Sequence, residues 1–321
     1  MDPNMIKAMT WERPAELPVT VSALPSMWLR LGDEMTRFAA AYPDFFPEAR
    51  TPASVAASLS GRYKAGEWTD EWGCVWRNNH EGMDAYVTVH PVPRREDILT
   101  LQIPKNRDGS LPHGFMYLRL LDLRGFEEAM LDFAEECGEL QILIDKVLEY
   151  NCIQIKHLLQ HAGEVMCFGD DLGMQRGLAI GAEKWRKYLK PCFAGMYGMV
   201  RGQGRLVYMH TDGCIHEIMP DLQECGVNMI NPQYRANGLE NLVRVCRREH
   251  EIAVHLDLDR QLFPFAAPAQ LRGHARECVE ALWTPRGGLG INVELNYDVP
   301  LQNAAALLDE LRILKHYKSI T

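Results

Sequence analysis

The sequence of 321 residues lacks several features, and each absence narrows its class. Its nine cysteines are an odd number with no Cys-x-x-Cys pair, which argues against a disulfide framework and favours a reducing compartment. No apolar run approaches the roughly 20 residues that a membrane-spanning helix needs. No Lys/Arg run could track a phosphate backbone, and the net charge is −9, so a nucleic-acid partner is not expected. The N-terminal residues show no basic segment followed by an apolar one, so no secretory signal is expected and we predict a cytoplasmic protein.

What the chain does have is a set of apolar runs that end in polar, ligand-capable residues. The groups at the run ends are Asp170 and Asp171, His210 and Asp212, Asn231, Asp257 with Asp259 and Arg260, and Glu294 with Asn296. In a (βα)8 barrel the carboxyl ends of all the parallel strands meet at one face, where the active site lies. The pattern therefore predicts one shared pocket built from several strand ends.

The spacing of apolar residues predicts the fold. From residue 164 onward, strands alternate with helical patterns at residues 183–201, 216–225, 239–249, 268–282 and 302–317. Seven strands are plausible, including residues 18–24 and 115–120. We predict an α/β fold, a (βα)8 TIM barrel, as a single domain over residues 1–321. Aromatic strands around a turn predict a β-hairpin inserted at about residues 68–93.

His210 is the strongest candidate for a metal ligand. Neutral imidazole is a common zinc ligand, and Asp212 follows two residues later. Glu294 ends the last predicted strand, where a barrel would bring it into the same pocket. We predict a zinc site at His210, Glu294 and Asp212 or Asp171. Two alternatives stay open: His210 with Asp212 as a hydrogen-bonded loop anchor, and Glu294 in a structural ion pair with a Lys or Arg.

The other acids are candidates for proton transfer. Asp170 and Asp171 are adjacent, so on a strand they point to opposite faces and at least one should reach the pocket. The other is expected to cap the helix that follows. We predict catalytic roles for Asp171 and Asp257.

Four further residues are predicted to contact the substrate: Tyr208, Asn231, Arg260 and Asn296. Arg260 could hold a substrate carboxylate, and the competing interpretation is that it neutralises the acids beside it.

Several segments resemble the uroporphyrinogen decarboxylase superfamily. They are Gly169-Asp170-Asp171-Leu172-Gly173-Met174-Gln175, His210-Thr211-Asp212-Gly213, Asn228-Met229-Ile230-Asn231-Pro232, and the block from Gly287 through Glu294 to Asn303. The resemblance spans nearly the whole chain and implies a TIM barrel. Uroporphyrinogen decarboxylases themselves hold a tetrapyrrole with N-terminal arginines, and no arginine pair follows Pro18 here. That activity is therefore the weaker expectation.

The superfamily's other branch consists of zinc-dependent, corrinoid-linked methyltransferases with a His-x-Cys ligand pair and a distant Cys. His210 matches the His, Asp212 stands at the first Cys, and Glu294 lies near the second. Carboxylates in place of thiolates make a harder site and a stronger Lewis acid, which suits activation of an ether or alcohol oxygen. The resemblance thus implies a methyltransferase that moves a methyl group from a small, methoxylated donor to a separate corrinoid protein.

Three alternatives remain open at this stage. They are a cofactor-free decarboxylase, another metal-dependent lyase or hydrolase, and a non-catalytic binding protein, which is disfavoured because polar groups at five strand ends are costly unless used. The sequence leaves the oligomeric state open, a homodimer included.

Overall fold

The computed structural model describes residues 1–48 and 50–318; the other residues of the predicted domain, 49 and 319–321, lie outside the description. The chain divides into two compact units. The first unit lies within Met1–Trp68, Trp76–Tyr86 and His255–Thr321, and the second within Thr69–Val75 and Val87–Val254. Among the described residues, no helix is both long and apolar enough to cross a membrane.

Nine strands occur in the described chain. They are β1 (Val19–Ala23), β2 (Gly66–Thr69), β3 (Val75–Asn78), β4 (Tyr86–Val89), β5 (Val165–Gly169), β6 (Leu206–Thr211), β7 (Met229–Pro232), β8 (Val254–Asp257) and β9 (Leu289–Leu295). Six of them form one sheet in the order β1-β9-β8-β7-β6-β5, and the pairs with known register are parallel. Strands β2, β3 and β4 form a separate three-stranded sheet, where the sequence predicted a hairpin.

Fifteen α-helices occur in the described chain, and each of the five helical patterns predicted after residue 164 overlaps at least one of them. They are α1 (Pro3–Thr10), α2 (Pro25–Leu31), α3 (Asp33–Ala41), α4 (Pro52–Ser58), α5 (Arg95–Thr100), α6 (Tyr117–Arg124), α7 (Phe126–Glu135), α8 (Gly138–Leu158), α9 (Gly181–Lys184), α10 (Lys190–Arg201), α11 (Met219–Glu224), α12 (Tyr234–Asn237), α13 (Leu239–Val243), α14 (Pro268–Leu282) and α15 (Leu301–Leu314). Two π-helical segments, Trp185–Leu189 and Arg244–Glu249, continue α9 into α10 and extend α13.

In the second unit, side-chain alternation decides which face of the strands carries chemistry. Phe168 of β5 and Met209 of β6 are buried, and both contact Tyr197 of α10. Because successive strand residues point to opposite faces, Tyr208 and His210 lie on the face of β6 away from that helix, and both are only half-buried. The strand therefore presents His210 outside the apolar core.

In the first unit, β1 and β9 pair in parallel with Ser22 opposite Glu294. Ile291, Val293 and Leu295 of β9 are buried, whereas Asn292 and Glu294 alternate with them on the other face.

Helix α14 begins with Pro268 at its first position, where the missing N–H has no helical partner to lose. Its bounds equal the predicted range of residues 268–282.

One predicted strand, residues 115–120, is wrong, because α6 occupies this segment. The buried carboxylate of Asp170 accepts the backbone N–H groups of Met116, Tyr117 and Leu118 at 2.5 to 3.2 Å. These bonds satisfy the N–H groups that the first turn of a helix leaves open. The cap lies 52 to 54 residues away in the sequence, so it leaves no local signal. Because this segment is a helix, the sheet has six strands and not the seven predicted.

Candidate functional site

Three neighbouring strands of the second unit bring the polar residues together by register. Gly169 of β5 lies opposite His210 of β6, and His210 lies opposite Asn231 of β7. Asp170 and Asp171 follow β5 directly, and Asp212 follows β6. The predicted meeting of these strand ends is therefore present within the second unit.

His210 has one ring nitrogen held and the other directed at two carboxylates. Its Nδ1 lies 2.7 Å from the side-chain oxygen of Asn231, which only accepts hydrogen bonds, so Nδ1 carries the hydrogen. Its Nε2 lies 3.3 Å from Oδ1 of Asp212 and 3.9 Å from Oδ1 of Asp171. Because Asn231 holds the hydrogen on Nδ1, the lone pair of the neutral ring is on Nε2, which is the tautomer that a metal ligand needs. A lone pair that faces two carboxylates is unfavourable unless a proton or a cation lies between them.

A second histidine joins this group, and sequence reasoning missed it. The Nε2 of His113 lies 3.0 Å from Oδ2 of Asp171, and its ring centroid is 5.6 Å from that of His210. A Cβ at residue 169 would lie 2.5 Å from Nδ1 of His113, so this approach requires glycine there. His113 lies between Pro112 and Gly114, outside the apolar runs, so the strand-end pattern carried no signal for it.

The two adjacent carboxyl groups of Asp170 and Asp171 have different environments. Asp170 is fully buried, and burial raises its pKa to about 7 even though backbone N–H groups donate to it. Burial also acts to raise the pKa of Asp171, but hydrogen bonding to His113, the two imidazoles and the N–H of Asp212 outweigh burial and lower it. Asp171 is therefore the ionised carboxylate facing the histidines, and the lowered pKa favours an acceptor or ligand role over proton donation. Asp170 does cap a helix, but the helix is α6, which precedes it in the chain.

The loops after β5 and β6 are joined through their backbones. Gly173 N donates to Asp212 O at 3.1 Å, and Cys214 N donates to Met174 O at 2.8 Å. Gly213 has φ +86°, and a Cβ there would lie 2.1 Å from Gly173 O, so only glycine fits. These bonds fix the backbone on which Asp171 and Asp212 stand.

The donor set fits a divalent metal ion such as zinc. The ligand atoms of His113, Asp171 and His210 all lie within 4.8 Å of one another. Their side chains are 29 to 32% exposed, so an ion can reach them from solvent. Imidazole nitrogens and carboxylate oxygens are ordinary zinc ligands.

The predicted residues at the ends of β8 and β9 lie in the first unit, where each has a polar side-chain partner. Glu294 forms an ion pair with Arg260, which matches the competing interpretation for Glu294. Asn292 Nδ2 donates to Asp257 Oδ1, and Asn296 Oδ1 accepts from Ser26 Oγ at 2.8 Å. Metal binding by Glu294, catalysis by Asp257 and substrate contact by Asn296 and Arg260 stay predictions.

Parallel strands that end in imidazoles, carboxylates and amides define the chain as an α/β protein with a cluster of ligand-capable side chains at its strand ends. The chain belongs to the uroporphyrinogen decarboxylase (URO-D) family, whose model matches residues 115–313, more than half of its length. The predicted family is confirmed.

Comparison with solved structures concerns the fold of the whole chain. This fold is similar to that of a methyltransferase from Methanosarcina mazei, with a TM-score of 0.64 and 14% identity over 97% of each chain. A dihydropteroate synthase from Xanthomonas albilineans gives a TM-score of only 0.36 at 17% identity, over 52% of this chain and 61% of that one. No curated protein sequence matches the chain. The parallel α/β part of the predicted fold is confirmed, while closure into eight strands stays a prediction.

Proposed function

We propose that this protein is an enzyme, a methyltransferase that moves a methyl group from a small methoxylated donor to a corrinoid carried by a partner protein. Family membership and the fold shared with a methyltransferase support the class. The observation that carries the proposal is the His210 ring, whose Nε2 faces the carboxylates of Asp171 and Asp212. This arrangement suits a zinc ion, with His210 as the anchoring ligand.

Bound zinc would supply a Lewis acid that stabilises negative charge on the donor oxygen. His210 and Asp171 would hold the ion, and Asn231 keeps the imidazole in the tautomer that could bind it. The donor set contains no thiolate, so its ligands donate less charge to the ion than the thiolates of a cysteine site would. Such a site favours activation of an oxygen leaving group over activation of a thiol.

In the proposed transfer, the reduced corrinoid is the acceptor substrate, and the electron pair of its cobalt would form the bond to the methyl carbon. The carbon–oxygen bond of the donor would break, and its electrons would stay on oxygen. The leaving alkoxide takes a proton from water, which the partly exposed site admits. The corrinoid acceptor carries the difficult chemistry, and the protein contributes position and charge stabilisation.

The test combines metal analysis with a transfer assay. Protein loaded with zinc is incubated with methoxylated aromatic donors and cob(I)alamin, and methylcobalamin is followed by absorbance. We expect turnover in the wild type, none in His210→Ala, and wild-type turnover in His161→Ala, which removes an exposed histidine outside the site. Absence of transfer across the donor panel, with zinc bound, would overturn the methyl-transfer proposal.

Cofactor-free decarboxylation is the second candidate, favoured by the family to which the chain belongs. Decarboxylation of an acidic substrate that persists after chelation and in His210→Ala would select it. If activity requires metal but no corrinoid, a metal-dependent lyase or hydrolase is selected instead.

A further inference from the structure

We propose that His113, Asp171 and His210 together bind one divalent metal ion, with His113 as the second imidazole ligand. This ligand set deepens the proposed function, which needs a metal at His210, but it can be tested without any methyl transfer. It differs from the set expected from the sequence, which combined His210 with Asp212 and Glu294.

The distances support the assignment. Zinc bonds of about 2.0–2.2 Å put neighbouring donors of a tetrahedral site about 3.4 Å apart. The observed separations bracket this value: His113 Nε2 lies 3.0 Å from Asp171 Oδ2, and His210 Nε2 lies 3.9 Å from Asp171 Oδ1.

The backbone is built to bring His113 to this position. Gly114 N donates to Gly169 O at 2.8 Å, which ties the residue after His113 to the end of β5. Gly169 has no side chain, so the imidazole can pack directly against the strand beside Asp171. Two residues that lie 58 positions apart in the sequence are thus held within hydrogen-bond distance.

The donors decide the class of ion. Two imidazoles and one carboxylate suit zinc, cobalt(II), nickel(II) or iron(II) more than calcium or magnesium, which prefer oxygen ligands alone. Among the residues that the structure describes, no cysteine belongs to this donor group. The sulfur of Cys214 lies instead 3.4 Å from Nδ1 of His216.

His113 also has a competing role, that of a hydrogen-bond donor that orients Asp171 without touching the ion. An outer partner of this kind changes affinity about 10- to 100-fold when it is removed, so affinity alone does not separate the two roles. The number of imidazoles around the ion does separate them.

The experiment is X-ray absorption at the zinc edge, which counts imidazole ligands from their scattering. We expect two imidazoles in the zinc-loaded wild type and in the control His161→Ala, and one in His113→Ala. Titration with zinc should give about one ion per chain in the wild type. Thermal unfolding of each metal-free variant establishes that it is folded, and His113→Asn replaces His113→Ala if the alanine variant is not.

One imidazole in the wild type, or the same number in the wild type and a folded His113 variant, would overturn the ligand set. Either result is compatible with zinc-dependent methyl transfer. Conversely, two imidazoles in a protein that transfers no methyl group would leave the ligand set in place and remove the proposed function.

Discussion

The strand ends of both units carry carboxylates, but the side chains that partner those carboxylates differ. In the first unit, Glu294 is paired with the guanidinium of Arg260, and Asp257 accepts the amide N–H of Asn292. In the second unit, Asp171 accepts from His113 and lies beside His210. Arginine keeps its proton at any ordinary pH, whereas imidazole can exchange its proton for a metal ion. The comparison teaches that the same residue type, at the same kind of strand end, is suited to charge pairing in one unit and to metal binding in the other.

The largest expected difference between the two strand-end regions is in metal content. We expect His210→Ala to lower bound zinc from about one ion per chain to none, because it removes the ligand that Asn231 orients. Glu294→Ala should keep the ion. Elemental analysis of the purified variants measures this, and loss of zinc in Glu294→Ala would restore Glu294 to the ligand set.

A matched pair of amide substitutions sharpens the comparison. Asp171→Asn should weaken zinc binding by about 100-fold or more, since it removes a ligand charge, whereas Asp44→Asn, which alters a first-unit carboxylate paired with Arg312, should change the Kd less than about 3-fold. Calorimetric titration gives both values. Equal effects in the two variants would contradict the separation of roles.

A third substitution affects folding at the same strand end. Asp170→Ala leaves the N–H groups of Met116, Tyr117 and Leu118 buried without their acceptor, and should lower the free energy of unfolding by about 3 kcal/mol. Denaturation in urea measures the change. A loss below about 0.5 kcal/mol would show that the cap of α6 is satisfied by other means.

The smallest effect is expected from adding one methyl group. Gly169→Ala places a Cβ against His113 and should weaken zinc binding about 10-fold through displacement of that ring. Gly163→Ala is the control, since a Cβ there meets nothing within 4 Å. If both variants bind zinc as the wild type does, the close packing of His113 on β5 has no role in metal binding.

The spacing of apolar residues predicted much of the fold, but some elements were predicted more accurately than others. The bounds of α14 were predicted to the residue because a proline start and a regular apolar stripe are both local signals. Helices α2 and α3 are separate although they follow one another directly, since Gly32 has φ +58° between them. The segment 115–120 was assigned wrongly because its cap, Asp170, belongs to a distant part of the chain.

For the site, the sequence indicated His210, Asp171, Asp212 and Asn231 because each ends an apolar strand. It could not indicate His113, which lies in a loop with no periodic pattern and reaches Asp171 only through the packing of Gly169. Nor could it choose between a ligand and an ion pair for Glu294, because the partner, Arg260, is 34 residues away.

The sequence by itself thus determined the family, the parallel α/β architecture and which residues end its strands, since these depend on local patterning and recognisable motifs. The tertiary structure alone decided which of those polar groups share a site, which carboxylates have an arginine partner, and that a second histidine joins them. The physical reason is that hydrogen bonds and charge interactions act over a few ångströms in space, and only the folded chain sets those distances.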